Sequence, residues 1–226
     1  MSRISAVSGA ICLAFWIVFA SAGCISAQDK TANSKYTAVQ ERHRQAEAEL
    51  KRLTDLRDSL NEIPFNAEQR EPYASLIKEH EEEIVYNEPA GQWIVRSDRF
   101  WVLAEKYKDL PIADDIAWVA ANNPLPGECE GFVNCYLHWM RITHGRYLEA
   151  FPEGKYREDA LKEIGDLVSD LNRDKDKSPD MWPTEEEELA EFRATLDVLV
   201  KIMSGTDSPQ KEAVLADIEK LRGSVK

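Results

Sequence analysis

The sequence predicts an all-α protein. Apolar residues recur three and four positions apart from residue 35 to the end of the chain, which is the period of an amphipathic helix. No stretch alternates apolar and polar residues as a strand does, and prolines separate segments of helical length. We therefore expect helix pairs that stack on one another or pack as an irregular helical bundle.

The predicted helices follow one another in a single domain, residues 35–226, after a polar linker at residues 28–34. In the first helix, apolar residues recur every seven positions and form a seam for a neighbouring helix. The predicted helices cover residues 35–62, 72–86, 93–109, 112–120, 132–151 and 156–171, with two tail helices within residues 184–222. Residues 92–172 form the predicted core of helix pairs.

Helix-breaking and capping residues set these boundaries. Pro64, Pro111 and Pro152 end helices because proline lacks the backbone N–H that a helix interior needs. Thr184, followed three residues later by Glu187, has the form of a capping box at the start of the first tail helix.

Composition and charge narrow the class of partner. Hydrophobic residues make up 43% of the 226 residues, which is enough for a core, and the formal net charge is −13. Such a surface repels phosphate backbones and anionic lipid headgroups. We therefore expect no nucleic-acid partner.

The amino terminus predicts export. Arg3 precedes an apolar run at residues 10–20 and then small residues, so residues 1–27 are interpreted as a signal peptide or lipoprotein leader. Ser21-Ala22-Gly23-Cys24 is similar to a lipobox, which makes Cys24 a lipidation candidate; the segment could also remain as an uncleaved anchor. The body is expected in the periplasm or at the outer membrane, with membrane contact only through a lipid or this anchor.

Two segments share a pattern of a tyrosine, a proline and then an alanine-bearing helix. They are RFWVLAEKYKDLPIADDIAWVAA, from Arg99, and THGRYLEAFPEGKYREDALKEI, from Thr143. Over residues 99–165 the chain resembles the tetratricopeptide-like repeat proteins found among exported outer-membrane-assembly lipoproteins and periplasmic cell-division coordinators. The resemblance implies antiparallel helix pairs that stack as a right-handed superhelix, with a concave surface that binds another protein, without catalysis.

Cys129 and Cys135 are expected to form a disulfide because exported chains meet an oxidising compartment. In one helix their Cα atoms would lie about 9 Å apart, whereas a disulfide needs roughly 4.4–6.8 Å, so Cys129 must lie in the loop before the helix. Two alternatives remain open, a zinc site that uses both cysteines with His138 and a pair of reactive thiols.

A second weak metal candidate lies near the carboxyl end of the core. Four polar residues alternate there as in the first half of a calcium-binding loop: Asp170, Asn172, Asp174 and Asp176. Lys175 and Met181 occupy the positions where such a loop needs glycine and glutamate, so a solvated linker is the favoured interpretation.

The sequence contains no nucleotide-binding glycine motif and no His-Glu-x-x-His motif. The leading hypothesis is an exported, non-catalytic module of the bacterial cell envelope that binds a protein or peptide and needs no cofactor. The alternative is a metal-binding (zinc or calcium) or thiol-active envelope protein. Aromatic side chains anchor many interfaces, and five are candidates for a binding groove: Trp93, Trp101, Trp118, Tyr136 and Trp139.

Overall fold

The computed structural model describes residues 27–225 and shows an all-α fold with one short β-hairpin, which confirms the predicted fold class. The helices are α1 (Ala27–Asn61), α2 (Tyr73–Glu79), α3 (Ser97–Lys106), α4 (Ile112–Ala121), α5 (Val133–Met140), α6 (Arg146–Ala150), α7 (Arg157–Asp174), α8 (Glu186–Ser204) and α9 (Lys211–Gly223). The strands are β1 (Ile84–Asn87) and β2 (Gln92–Val95). The right-handed superhelix stays a prediction.

The chain divides into two compact units between Ala38 and Val39. The described part of the first unit is the amino-terminal portion of α1, and the second unit contains every other described element. The predicted leader and Cys24 lie outside the described residues. Within residues 27–225, no helix is both long and apolar enough to cross a bilayer.

Helix α1 begins at Ala27, so the prediction that residues 28–34 form a linker is wrong. No proline or glycine lies between Ala27 and Asn61, and nothing in the covalent chain interrupts the helix. In the second unit α1 buries Ala46, Leu53 and Leu60 against the core, as the seven-residue spacing predicts.

A β-hairpin replaces parts of two predicted helices. Strands β1 and β2 pair antiparallel, with Ile84 opposite Val95 and Asn87 opposite Gln92. The prediction that no strand is present was therefore wrong, and so was the placement of Trp93 in a helix. The paired positions are rich in β-branched residues, and Gly91 supplies the left-handed backbone of the turn, with φ +64°.

The core lies mainly between the helices that follow the hairpin, and α1 and the two strands contribute buried side chains to it. Helix α3 packs against α4, α7 packs chiefly against α9, and α8 packs against both α9 and α5. A π-helical turn, Arg141–Gly145, joins α5 to α6. The largest fully buried side chains are Tyr147, Phe100, Phe192, Leu60, Ile116, Leu137, Leu148, Leu161, Ile164, Leu196, Leu199 and Met203. Most of these occupy the apolar faces that the helical period predicts.

Two consecutive aspartates of α4 hold the turn between α6 and α7. The Tyr147 hydroxyl donates to Asp114 Oδ1 and accepts the backbone N–H of Tyr156 at 3.0 Å. The Tyr156 hydroxyl donates to Asp115 Oδ1 at 2.7 Å. At Gly154 an added Cβ would collide with the Tyr147 hydroxyl, so this network needs glycine there. It connects the two segments that carry the repeat resemblance.

The start of α8 differs from the predicted capping box. Glu185 is the residue before the helix and makes no side-chain cap. Glu188, rather than Glu187, reaches back, and its Oε2 accepts the backbone N–H of Thr184 at 3.2 Å. The N-cap is Glu185, one residue later than the predicted Thr184, and this shift moves the reciprocal acceptor by one position.

Candidate binding surface beside the disulfide

Cys129 and Cys135 form a disulfide with their Cα atoms 5.4 Å apart, which confirms the predicted pair. Cys129 is buried in the loop that precedes α5, and Cys135 lies in the first turn of that helix. The loop reverses direction at Gly127 and Gly131, whose φ angles of +91° and +94° are accessible to glycine at little cost.

The two alternative interpretations of these cysteines, a zinc site and a pair of reactive thiols, do not fit the structure. Their sulfur atoms are bonded to each other and provide neither thiolate ligands for zinc nor free thiols. The ring Nδ1 of His138 lies 3.4 Å from the Arg141 guanidinium. Among the described residues, no group of three or more histidines, cysteines and carboxylates is placed to hold a metal ion.

The polar residues near the end of α7 do not form a calcium loop either. Helix α7 continues to Asp174, so Asp170 and Asn172 are helical. Asp170 pairs with Arg173 at 2.8 Å, and Asp174 pairs with Lys177 at 2.6 Å. Asp170 and Asp174 share a helix face and both pair with Arg173, whereas Asn172 lies on another face, where its Nδ2 donates to the Asp217 carbonyl.

Buried amides tie the disulfide loop to the hairpin. The Asn87 Oδ1 atom accepts the backbone N–H of Gly127 at 3.1 Å. Asn123 donates from Nδ2 to the Val95 carbonyl at 2.7 Å and to Ser97 Oγ at 3.0 Å. The loop is thus fixed at one end by these bonds and at the other by the disulfide, which leaves it little freedom.

The fixed loop packs against Met181, at the end of the segment between α7 and α8. A Cβ added to Gly131 would lie 3.2 Å from both Cγ and Sδ of Met181, so the two segments are in close contact. Cavities of about 150 and 370 Å³ adjoin here, because Met181 and Trp182 line both of them. We call this region, residues 130–134 and 178–188 with the two cavities, the Met181 surface.

Apolar groups are prominent at the Met181 surface. The Phe132 ring is 51% exposed although it is a large apolar side chain. Val133, Leu171 and Met181 line the larger cavity. Trp182 is half-buried, and the Lys175 ammonium lies 5.7 Å from the centre of its ring. Half-exposed aromatic rings beside cavities are typical of interface anchors.

The charge of this surface is negative. Its exposed carboxylates belong to Glu130, Asp180, Glu185, Glu186, Glu187 and Glu188, and within the described chain none of them forms an ion pair. Asn134 lines the smaller cavity; its Nδ2 donates to the Glu188 carbonyl, and its Oδ1 is buried and receives no hydrogen bond. The smaller cavity is therefore rich in hydrogen-bond acceptors.

The five predicted groove aromatics lie in separate environments. Trp101 lines a cavity of about 330 Å³ between α3 and α6, under the Arg146 guanidinium at 4.3 Å. Trp118 stacks on Tyr156 at 4.9 Å, and Trp93 packs beside Tyr86. Tyr136 and Trp139 are half-buried on α5. In residues 35–225 no ring pair joins two of the five, so a shared aromatic groove is not observed.

The strongly shifted titratable groups stabilise the fold and do not line the Met181 surface. Arg52 holds the pKa of the Glu83 carboxyl down to about 2. Burial, followed by the hydrogen bond to Asp114, raises the pKa of Tyr147. Burial lowers the pKa of His144, whose ring packs edge-on against Trp118.

Comparisons with protein-family models, with curated proteins and with solved structures found no match for this chain.

Proposed function

We propose that the protein is an exported, non-catalytic module of the bacterial cell envelope that binds a protein or peptide at the Met181 surface. The observation that supports this most strongly is the half-exposed Phe132 ring beside two adjoining cavities, on a loop fixed by a disulfide. A fixed apolar anchor loses little conformational entropy when a partner covers it.

The use of the perturbed side chains supports a binding role over a catalytic one. Active sites gather groups with shifted pKa values around an open cleft. Here the groups with the most strongly shifted pKa values each contact a structural partner. Glu83 pairs with Arg52, the Tyr147 hydroxyl bonds to Asp114, and Lys155 pairs with Asp115. These contacts join helices and turns together.

Two features support export. The amino-terminal 27 residues have the charge and hydropathy of a leader, and the Cys129–Cys135 disulfide suits an oxidising compartment. Fractionation of cells that naturally make the protein, with a mass measurement of the mature chain, tests this. A Cys24→Ala variant should lose a lipid-sized mass and membrane attachment if Cys24 is lipidated. A full-length chain in the cytosol would contradict export.

The binding proposal is tested by site-specific photo-crosslinking in the same cells. A photoreactive phenylalanine analogue replaces Phe132 in one strain and Val102 in the control strain, because Val102 is also an exposed apolar residue, at 65%. We expect a discrete adduct with a second protein from position 132 and none from position 102. Adducts that are absent at 132, or equal at both positions, would contradict the proposal.

A further inference from the structure

We infer that the Met181 surface binds an extended segment of a partner protein in which a lysine or arginine lies two positions from an apolar side chain, so that both point to the same face. This inference rests on the proposed binding function and adds the chemistry of the partner. It assigns the basic side chain to the smaller cavity and the apolar side chain to the larger one.

Charge complementarity identifies the occupant of the smaller cavity. Asp180, Glu185 and Glu188 line it, no lysine or arginine does, and the described structure gives these carboxylates no ion-pair partner. Like charges in close proximity repel, and a cation between them removes that repulsion. The net charge of −13 also attracts a basic segment over a longer range.

Hydrogen bonding at the smaller cavity favours the same occupant. Lysine and arginine side chains donate hydrogen bonds and accept none. The cavity presents the carboxylate oxygens of Asp180, Glu185 and Glu188, and no lysine or arginine is among its described lining residues. A group that only donates therefore matches this lining better than a hydroxyl, an amide or a carboxylate.

The aromatic rings add a further attraction for cations. Trp182 already has the Lys175 ammonium over its ring, which shows a cation–π contact at this surface within the chain itself. The Phe132 ring is half-exposed at the edge of the smaller cavity and has no such internal cation. It can therefore accept the cationic or aliphatic part of a partner side chain.

The larger cavity favours an apolar neighbour on the same segment. Val133, Leu171 and Met181 provide apolar walls. Of its two carboxylates, Asp174 is paired with Lys177, and Glu130 alone has no ion pair within the described chain. Because Met181 and Trp182 line both cavities, one extended segment can reach both with side chains that are close in its sequence.

The test measures fluorescence anisotropy with the oxidised, purified protein and a labelled nine-residue peptide. In this peptide lysine and leucine alternate at the odd positions and serine fills the even ones, so that lysine and leucine line the same face of an extended chain. One matched peptide has glutamate for lysine, and another has serine for leucine. We expect the lysine–leucine peptide to bind, the glutamate peptide not to bind, and the serine peptide to bind more weakly. Affinity should fall as salt is raised, because part of it is electrostatic.

Two double variants distinguish the effect of charge at the Met181 surface on peptide binding from the effect of the net charge of the protein. Glu185→Gln with Glu188→Gln alters the surface, and Glu81→Gln with Glu212→Gln alters exposed positions elsewhere by the same net charge. The first double variant should weaken binding at least about fivefold and the second less than about twofold. Equal losses would overturn the inference, because binding would then follow net charge alone.

A second pair tests the apolar contribution, with Phe132→Ser against Val102→Ser. Only Phe132→Ser should weaken binding, and circular dichroism of each variant verifies that the fold is retained. If the serine peptide binds as tightly as the lysine–leucine peptide, the part of the inference that assigns an apolar side chain to the larger cavity is overturned.

If the lysine–leucine peptide fails to bind while residue 132 still forms an adduct in cells, the inference fails and the proposed function stands. If the peptide binds as expected and residue 132 forms no adduct, the proposed function fails.

Discussion

Tyr147 shows how a single buried polar group can hold several elements. Its ring is fully buried, and its hydroxyl both donates to Asp114 and accepts the N–H of Tyr156. The hydroxyl thus connects α4 to the turn before α7. The sequence places a tyrosine at this point of the repeat-like pattern, but it does not reveal that Asp114 of α4 is its partner, because the two residues are 33 positions apart.

Removing this hydroxyl should destabilise the fold. In Tyr147→Phe, Asp114 and the Tyr156 N–H each lose a buried partner, so we expect the free energy of unfolding to fall by about 1–3 kcal/mol in urea denaturation. Tyr86→Phe is the matched control, because Tyr86 is 38% exposed and its hydroxyl makes no hydrogen bond to a described residue. A loss within about 0.5 kcal/mol for both variants would refute the structural role.

His144 makes stability depend on pH near neutrality. Burial lowers its pKa, with a smaller opposing effect of Glu163, and its Nε2 is buried without a partner. The unfolded chain therefore takes up this proton at a higher pH than the folded chain, so stability falls as pH drops from about 7.5 through the ordinary histidine value of about 6.5. His144→Gln should show a flatter pH dependence of the unfolding free energy in that window.

The half-buried His43, which lies beside Glu47 at the surface, provides the comparison for this measurement, and His43→Gln should change the pH dependence less than His144→Gln does. A His144→Gln variant whose unfolding free energy changes with pH as steeply as that of the wild type would show that the buried ring does not set the dependence.

At the scale of elements, the disulfide loop connects the hairpin to α5 and supports the Met181 surface. The ring closed by the bond contains seven residues, because the two cysteines are six positions apart. In the chain-entropy model such a ring stabilises the fold by about 2 kcal/mol. We expect Cys129→Ala with Cys135→Ala to lower the free energy of unfolding by about that amount in urea.

Reduction supplies the control for the cysteine variant. A reducing agent should lower the stability of the wild type to that of the double variant and leave the variant unchanged. Sensitivity of the variant to reductant, or identical stability of the oxidised and reduced wild type, would contradict this role of the disulfide.

An ion pair connects α1 to the start of the hairpin. Both guanidinium nitrogens of Arg52 donate to Glu83, at 2.6 and 2.9 Å, and this contact is the largest cause of the lowered Glu83 pKa, about 2. A depressed carboxyl pKa stabilises the fold above the unfolded value, and that contribution is lost as pH falls from about 4.5 to 2.

Glu83→Gln should therefore lose less stability than the wild type over that acid window, as measured by thermal unfolding at a series of pH values. Glu212→Gln, an exposed carboxylate on α9, serves as the control and should follow the wild type. If Glu83→Gln and the wild type lose stability in parallel, the Arg52 contact does not set the acid response.

The elements that the sequence predicts well are the long helices, in which the apolar pattern repeats over many residues. Helices α7 and α8 each carry four or more turns of apolar stripe, whereas each strand of the hairpin has only four residues, too few to show alternation. Cys129 and Cys135 could be paired because geometry and redox compartment both constrain them. Phe132, Met181 and Trp182 could not be brought together, because their contact depends on how the loop before α5 packs against the segment before α8.

At the scale of the whole molecule, the all-α class follows from composition and periodicity, but the order of packing does not. Helix α7 packs chiefly on α9 and α8 packs on α5, contacts that neighbouring positions in sequence do not indicate. This packing brings the segment between α7 and α8 against the disulfide loop and so forms the Met181 surface. The sequence shows directly that acidic residues outnumber basic ones, and this excess is consistent with the negative charge of that surface.

The central claim is that a partner protein binds at the Met181 surface. Amide hydrogen exchange tests it most directly, on the purified protein alone and in complex with the partner recovered from the residue 132 adduct. We predict slower exchange in residues 129–134 and 178–188, with exchange around Trp101 unchanged. Protection around Trp101 with none at the Met181 surface, or no protection in either region, would contradict the claim.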